Sequence, residues 1–360
     1  MAKVLLLGGT GAMGIYLVPE LIKMGFDVFV TSRSVRNSNN EKLTYIRGDA
    51  HDDTFIKKIV TDQYDAIVDF MVYTTPEFRN RHELLLKNTA HYIFISSCRV
   101  FAESEFPITE KTPKLLDVSE DSEYLATDEY ALAKARQENV LRESTYQNWT
   151  IVRPTITYSK NRFQLGTLEA DTLIFRSQCQ CPVILPQEML QKQATMTWSG
   201  DVAKMMAHLV LNQNAFGEDF NVVSHEYRTW EEIAQYYKKL IGLEVVETEL
   251  NTYIKIVGGK YQILHSRMYN RVMDNTKILK ITAIQKESLT SIYDGLAREL
   301  NSIQELIKPN WVLNAKIDKI AHSKISLKKA TLKERFLYYS SFFGVYEFLK
   351  LLKNLKRRIL

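Results

Sequence analysis

Only three cysteines, Cys98, Cys179 and Cys181, occur in 360 residues. That is too few for a disulfide framework and fits a reducing compartment, so a cytoplasmic location is expected. Cys179 and Cys181 stand two apart, with no second pair and no histidine at ligand spacing, and no metal site is expected. Internal repeats and low-complexity linkers are missing as well. The N-terminus offers four apolar residues after Met1-Ala2-Lys3, too short a run for a secretory signal and expected instead to be a buried strand. A strong charge of either sign is also lacking. The formal charge is +5, too mild to argue for nucleic acid, and no specific nucleic-acid partner is expected. With 45% hydrophobic and 25% charged residues, the composition excludes disordered and collagen-like classes.

What is present is alternation. Short apolar runs at Lys3–Leu7, Asp27–Thr31, Leu43–Arg47, Ala66–Phe70, Tyr92–Ser96 and Thr150–Arg153 alternate with amphipathic stretches such as Met13–Met24, Arg81–Asn88 and Asp128–Glu143. This pattern predicts an α/β fold, a doubly wound parallel sheet covered by helices. The expected organisation is a nucleotide-binding domain over 1–160, with returns at about 196–225. A smaller substrate-binding lobe is expected over 161–195 and 226–315, followed by a basic helical tail over 316–360.

Directly after the first strand, Gly8, Gly11 and Gly14 form a G-x-x-G-x-x-G loop that opens into a helical pattern. Such glycines serve a tight turn, close approach of a pyrophosphate and tight helix–strand packing, with the phosphates on the helix N-terminus. The second strand ends Val30-Thr31-Ser32-Arg33-Ser34, without the Asp or Glu that usually holds the ribose hydroxyls of NAD. Ser32 and Arg33 suit a 2′-phosphate, which favours NADP over NAD as cofactor. Asp49 and Ala50 follow the third strand, where a carboxylate can meet the adenine amino group.

Tyr130 and Lys134 stand one helical turn apart on one face. A tyrosine with an ordinary pKa of about 10 is a poor acid or base at neutral pH, and a neighbouring ammonium lowers it. Tyr346 and Lys350 share the spacing, but only Tyr130 follows a strand ending in the hydroxyls of Ser96 and Ser97, at the sheet edge where such folds bind ligands.

These stretches, together with Val152-Arg153-Pro154, Trp198-Ser-Gly-Asp201, Phe220-Asn221-Val222, Asp274-Asn-Thr-Lys277 and Asp294-Gly295-Leu296, occur in an order that resembles the extended short-chain dehydrogenase/reductases of the NAD-dependent epimerase/dehydratase family. Most characterised members of that family act on nucleotide-linked sugars. The resemblance covers about residues 1–300 and implies a Rossmann-type fold and a nucleotide-sugar substrate. It implies Tyr130 as acid/base, Ser97 on the reacting sugar oxygen, and Lys134 on the nicotinamide ribose. The implied cofactor contacts are Gly8, Thr10, Gly11, Ala12, Met13, Gly14, Ser32, Arg33, Asp49, Ala50, Phe70, Tyr130, Lys134 and Pro154. Cys98 and Arg99 would join Ser97 at the substrate. Arg267 or Arg271 would clamp a diphosphate, the alternative being that each is a surface arginine. Two departures matter. Phe70-Met71 replaces a commoner small-residue segment, and Cys98-Arg99 replaces the Asp-Glu pair of sugar dehydratases. The implied reaction is therefore keto-sugar reduction or epimerisation. A non-catalytic RNA-binding or regulatory protein that kept the dinucleotide fold is the alternative.

Residues 316–360 hold twelve basic and three acidic side chains, so the tail carries +9 and the rest of the chain −4. Its uncharged stretch Phe336–Tyr346 falls well short of the roughly 20 residues that span a bilayer. Two readings stay open: a peripheral contact with the inner membrane face or a partner protein, and a helix packed on its own protein. A homodimer is also left open.

Overall fold

Seven strands form one parallel sheet, its central strands buried on both faces as expected where helices cover both sides. They are β1 (Lys3–Leu7), β2 (Asp27–Ser32), β3 (Leu43–Arg47), β4 (Tyr64–Asp69), β5 (Thr89–Ile95), β6 (Trp149–Pro154) and β7 (Glu218–Val222). The computed structural model describes residues 1–350 apart from 304, 306 and 349. The strand order is β7-β6-β5-β4-β1-β2-β3. The order reverses between β1 and β4, and ligands of doubly wound sheets bind outside the carboxyl ends at such a switch. Val4, Leu5, Leu6 and Leu7 are fully buried, each contributing roughly 2 kcal/mol of burial.

The chain divides into two compact units. Unit one comprises residues 1–161, 194–227 and 270–296 and contains the sheet; unit two comprises 162–193, 228–269 and 297–360. Residues 270–296, expected in the second lobe, pack with unit one instead: Met273 donates its amide to Thr195 Oγ1, and Asn275 donates to the Val223 carbonyl. The expected separate tail is likewise corrected. The helix Trp311–Ala321 straddles the boundary drawn at 316 and is part of unit two. Its Asp318, fully buried, accepts from Arg176 at 2.8 Å, from Ser323 at 2.7 Å, from the Ile325 amide at 2.9 Å and from Tyr338 at 2.6 Å. An acid hidden among lysines thus anchors the following helix, Leu332–Phe342. Lys353, Lys356, Arg357 and Arg358 of the expected tail lie outside the described residues.

One buried titratable group ties β5 to β6. His91 on β5 accepts the Leu211 amide on Nδ1 at 3.0 Å, so Nε2 carries the proton and donates to Thr150 Oγ1 at 2.8 Å. Burial pushes its pKa down to about 3. Between pH 6.5 and 3 the unfolded chain binds a proton that the folded chain refuses, so stability falls as pH falls through that window. Urea unfolding at pH 7 and pH 4 is expected to show a loss about 3 kcal/mol larger for the wild type than for His91→Gln. Equal losses would remove His91 as the cause.

Candidate active site

The glycine loop is built as a turn rather than as the start of the helix. Gly8 takes φ +72°, a left-handed conformation that favours glycine, and its amide donates to Thr31 Oγ1 at 2.9 Å. A Cβ on Gly14 would lie 2.2 Å from the Gly9 carbonyl oxygen, so only glycine lets the helix start this close to the loop. The helix runs Gly14–Lys23, one residue shorter at each end than expected; no side chain caps its N-terminus and its first turn carries no carboxylate. That leaves the dipole available to an anion.

Gly8, Thr10 and Gly11 open on a cavity of about 260 Å³. Its other walls are Thr31, Ser32 and Arg33 at the end of β2, Gly48 to His51 after β3, and Met71. This is a fit for the adenosine half of a dinucleotide, with the glycine loop at the phosphate end. Arg33 is exposed there, while the Ser32 hydroxyl turns to the Ser34 carbonyl at 2.9 Å. Asp49 accepts the His51 amide at 3.0 Å and also lines the cavity.

At the other end, β5 runs into the 3-10 turn Cys98–Val100, and Ser97 Oγ accepts the Arg99 amide at 3.2 Å. The Arg99 guanidinium pairs with Glu129 and lies 5.2 Å from the centre of the Tyr130 ring. Glu129 caps the next helix, Tyr130–Glu143, by accepting the Ala131 amide at 2.8 Å. Tyr130 is thus the first helical residue, and Lys134 follows one turn on. Ser97, Arg99, Glu129 and Tyr130 form one connected group.

Lys134 is buried. Its Nζ donates to the Met71 carbonyl at 3.4 Å and sits 4.4 Å from the centre of the Phe94 ring. Desolvation pushes its pKa down to about 8, against the pull of Asp69 and Glu138. Asp69 ends β4 fully buried, accepting from Tyr92 at 2.8 Å, Tyr73 at 3.1 Å and the Met71 amide at 2.9 Å. Burial raises its pKa, partly offset by those bonds.

One turn beyond Lys134 lies Glu138, also fully buried. It takes both Nε and Nη2 of Arg153 at 2.7 Å, the Ser96 hydroxyl at 2.6 Å and Lys114 at 2.9 Å. Arg153 in turn reaches Asp219 on β7 at 2.6 Å. These cations, Arg153 foremost, hold Glu138 and Asp219 at about 2 despite the opposing effect of burial. The Tyr130 helix is therefore bolted to β6, and through Ser96 to the residue preceding Ser97.

The remaining expected site residues lie wholly or partly in the interior. Phe70 packs partly buried against the core over β1, and Pro154 ends β6 in the interior. Cys98 is buried in a small apolar cluster. Arg267, weighed as a diphosphate clamp or a surface cation, is not at the surface. It is buried in unit two, donating to the Gly166 carbonyl at 2.8 Å, Ser266 at 2.9 Å and Gln164 at 3.3 Å. Arg271 is buried in unit one, where it donates to the Ala102 carbonyl at 3.1 Å. Lys350 of the second Tyr/Lys pair is exposed. Sequence reasoning missed Asp69 and Glu138. The signal for Glu138 is its position four residues beyond Lys134, which continues the Tyr130–Lys134 face.

Two variants separate support from chemistry. Glu138→Ala leaves a buried guanidinium underpaired and is expected to destabilise the fold by about 3–5 kcal/mol in chemical denaturation. Lys134 behaves in the opposite sense. Its folded pKa is depressed, so the burial penalty is fully present below pH 8 and fades as pH rises towards 10.5. Lys134→Met is expected to melt at the wild-type temperature or higher at pH 7 and to lose the wild type's gain between pH 8 and 10.

The sequence model of the NAD dependent epimerase/dehydratase family matches residues 4–222. Among curated proteins, the chain is 24% identical over 256 residues to the chloroplast stem-loop binding protein of 41 kDa b of Arabidopsis thaliana, covering 67% of this chain and 63% of that one. It is 30% identical over 133 residues to UDP-glucose 4-epimerase of Lactobacillus helveticus, covering 31% and 40%. The match therefore spans less than two thirds of either relative. Among solved structures, UDP-glucuronic acid 4-epimerase from Bacillus cereus, in complex with UDP-glucuronic acid and NAD, aligns with TM-score 0.64 at 16% identity, over 85% of this chain and 99% of that one. The dTDP-glucose 4,6-dehydratase from Bacillus anthracis, in complex with NAD, aligns with TM-score 0.64 at 14% identity, over 84% and 96%. Both likenesses concern the fold. A family match over more than half of the chain, on a sheet of this order with this glycine loop, makes the chain a member of the NAD-dependent epimerase/dehydratase family, the extended short-chain dehydrogenase/reductases.

Proposed function

We propose that this chain is a nicotinamide-dependent enzyme of nucleotide-linked sugars, a keto-sugar reductase or epimerase that uses NADP. The observation that carries this reading is the group formed by Ser97, Arg99 and Tyr130, with Lys134 buried one turn behind the phenol. A protein that only binds has no need to hold an ammonium in a site that disfavours its charge. When bound, the nicotinamide supplies hydride transfer at a sugar carbon. The protein's part is the proton: Tyr130 takes it from the carbinol oxygen in oxidation and returns it in reduction. Ser97 hydrogen-bonds that oxygen, and Lys134 contributes positive charge that favours the phenolate.

Elimination of water finds no support in the residues after Ser97. Cys98 is buried in an apolar cluster, and Arg99 is committed to Glu129. NADP is favoured by the missing carboxylate at the end of β2 and by Arg33 on the cavity wall.

The test is turnover of a panel of nucleotide sugars with each reduced cofactor. Net cofactor consumption marks a reductase, and isomer interconversion without it an epimerase. Tyr130→Phe is expected to lower kcat by about 10²–10⁴-fold with dinucleotide binding retained; unchanged turnover would remove the acid/base assignment. Wild-type turnover is expected to fall as pH rises above about 8, where Lys134 loses its proton. Arg33→Ala is expected to weaken NADPH about tenfold or more and NADH hardly at all.

A second reading, RNA binding on a retained dinucleotide fold, is favoured by the name of the Arabidopsis relative. It predicts capture of stem-loop RNA by the full chain, undiminished in Tyr130→Phe, with no turnover of any nucleotide sugar.

A further inference from the structure

The helix Leu332–Phe342 has two apolar faces, and unit two covers only one. Tyr338 is buried, and Phe342 packs partly buried beside it against Ala315 and Ile325. On the opposite side Leu332, Phe336, Tyr339 and Phe343 recur at spacings of four, three and four, which sets them in one stripe along the helix. They are 85%, 60%, 42% and 69% exposed, and the rings of Tyr339 and Phe343 stack at 6.4 Å. Single exposed apolar residues are ordinary, whereas a continuous stripe of this kind marks an interaction surface.

The rim of the stripe is basic. A depression of about 440 Å³ beside it is walled by Lys324, Lys328 and Arg335 together with Ser326 and Tyr339. Lys329 and Lys333 are exposed nearby. The two acids of this stretch are already engaged, Glu334 in the cap of its own helix at Thr331 and Glu347 with Lys316 at 2.9 Å. Among the described residues no helix is long and apolar enough to cross a membrane, so any membrane contact of this helix lies in the interface plane.

We propose that this face docks on an anionic phospholipid surface. The Leu332–Phe343 stripe enters the boundary between headgroups and acyl chains, and Lys324, Lys328 and Arg335 take lipid phosphates. Charge complementarity selects this occupant. An apolar centre with a rim of one sign matches a surface that is apolar within and negative at its headgroups. A second copy would bring two basic rims together. An RNA strand would use the cations but leave Leu332 without a role.

Flotation of the full chain with vesicles of phosphatidylcholine, with and without phosphatidylglycerol, tests this. Binding is expected only with phosphatidylglycerol and is expected to weaken with salt. The double variant Phe336→Ser/Phe343→Ser is expected to bind about tenfold more weakly or worse. Lys328→Glu/Arg335→Glu is expected to lose at least about fivefold per charge. Both pairs change exposed residues, and an unchanged melting temperature shows that each variant is folded. Absence of wild-type binding, or binding by the phenylalanine variant as tight as wild type, overturns the proposal. So does stem-loop RNA binding that the glutamate variant loses and the phenylalanine variant keeps, in the absence of vesicle binding. A dimer that the phenylalanine variant converts to monomer, again without vesicle binding, overturns it in favour of a second copy.

Discussion

Glu138 and Arg153 are two opposite charges with no access to water, and the geometry of the proposed active site depends on them. Taking each ion out of water costs several kcal/mol, which only near-ideal pairing offsets. Here the carboxylate receives the bidentate guanidinium, the Ser96 hydroxyl and Lys114, while the guanidinium also reaches Asp219. One carboxylate thereby fixes both sides of the proposed site. Its own backbone sets the helix that carries Tyr130 and Lys134, and its bond to Ser96 sets the strand end that carries Ser97. A hydrophobic replacement could match the stability, but not both of those registers at once.

Lys134 gains from this arrangement something it would not obtain alone. A buried ammonium beside Phe94 is disfavoured by desolvation, and the nearby carboxylates of Asp69 and Glu138 only partly compensate. The fold tolerates the residue because Glu138 and Arg153 over-determine the helix on which it sits. Strain and desolvation concentrated at one position, with surplus bonding one turn away, is the usual distribution at a functional site.

Much of this fold was legible in the sequence, for physical reasons that also mark the limits. A strand buried on both faces reads as an unbroken apolar run, so Lys3–Leu7 is found where expected; the edge strand Leu43–Arg47 is too, and the others differ by a few residues at their ends. The Gly8–Gly14 loop was legible because its requirements are local. Glu138 and Asp318 were not, since a charged residue in a helix reads as a solvated face until the partner, more than ten residues away or in another element, is known. The burial of Arg267 was hidden for the same reason: its acceptors are on residues 164 and 166, a hundred positions earlier. The placement of residues 270–296 depends on contacts with Thr195 and Val223, which periodicity cannot show.

The C-terminal helix illustrates the converse case, in which composition was clear and orientation was not. Aromatics distributed around a helix give little amphipathic signal, because two apolar faces cancel in any periodic measure. Asp318 resolves the ambiguity. By accepting the Tyr338 hydroxyl it dictates which face turns inward, and Leu332, Phe336, Tyr339 and Phe343 are left outward as a consequence of helical geometry. An acid counted at first only as one of three exceptions in a basic tail is therefore the residue that orients the exposed stripe. Exposure of that stripe is fixed by the same buried ion pair, Asp318 with Arg176, that joins the helix Trp311–Ala321 to the helix Ala170–Gln178. The basic rim follows from sequence alone, but its position beside the stripe follows from Asp318.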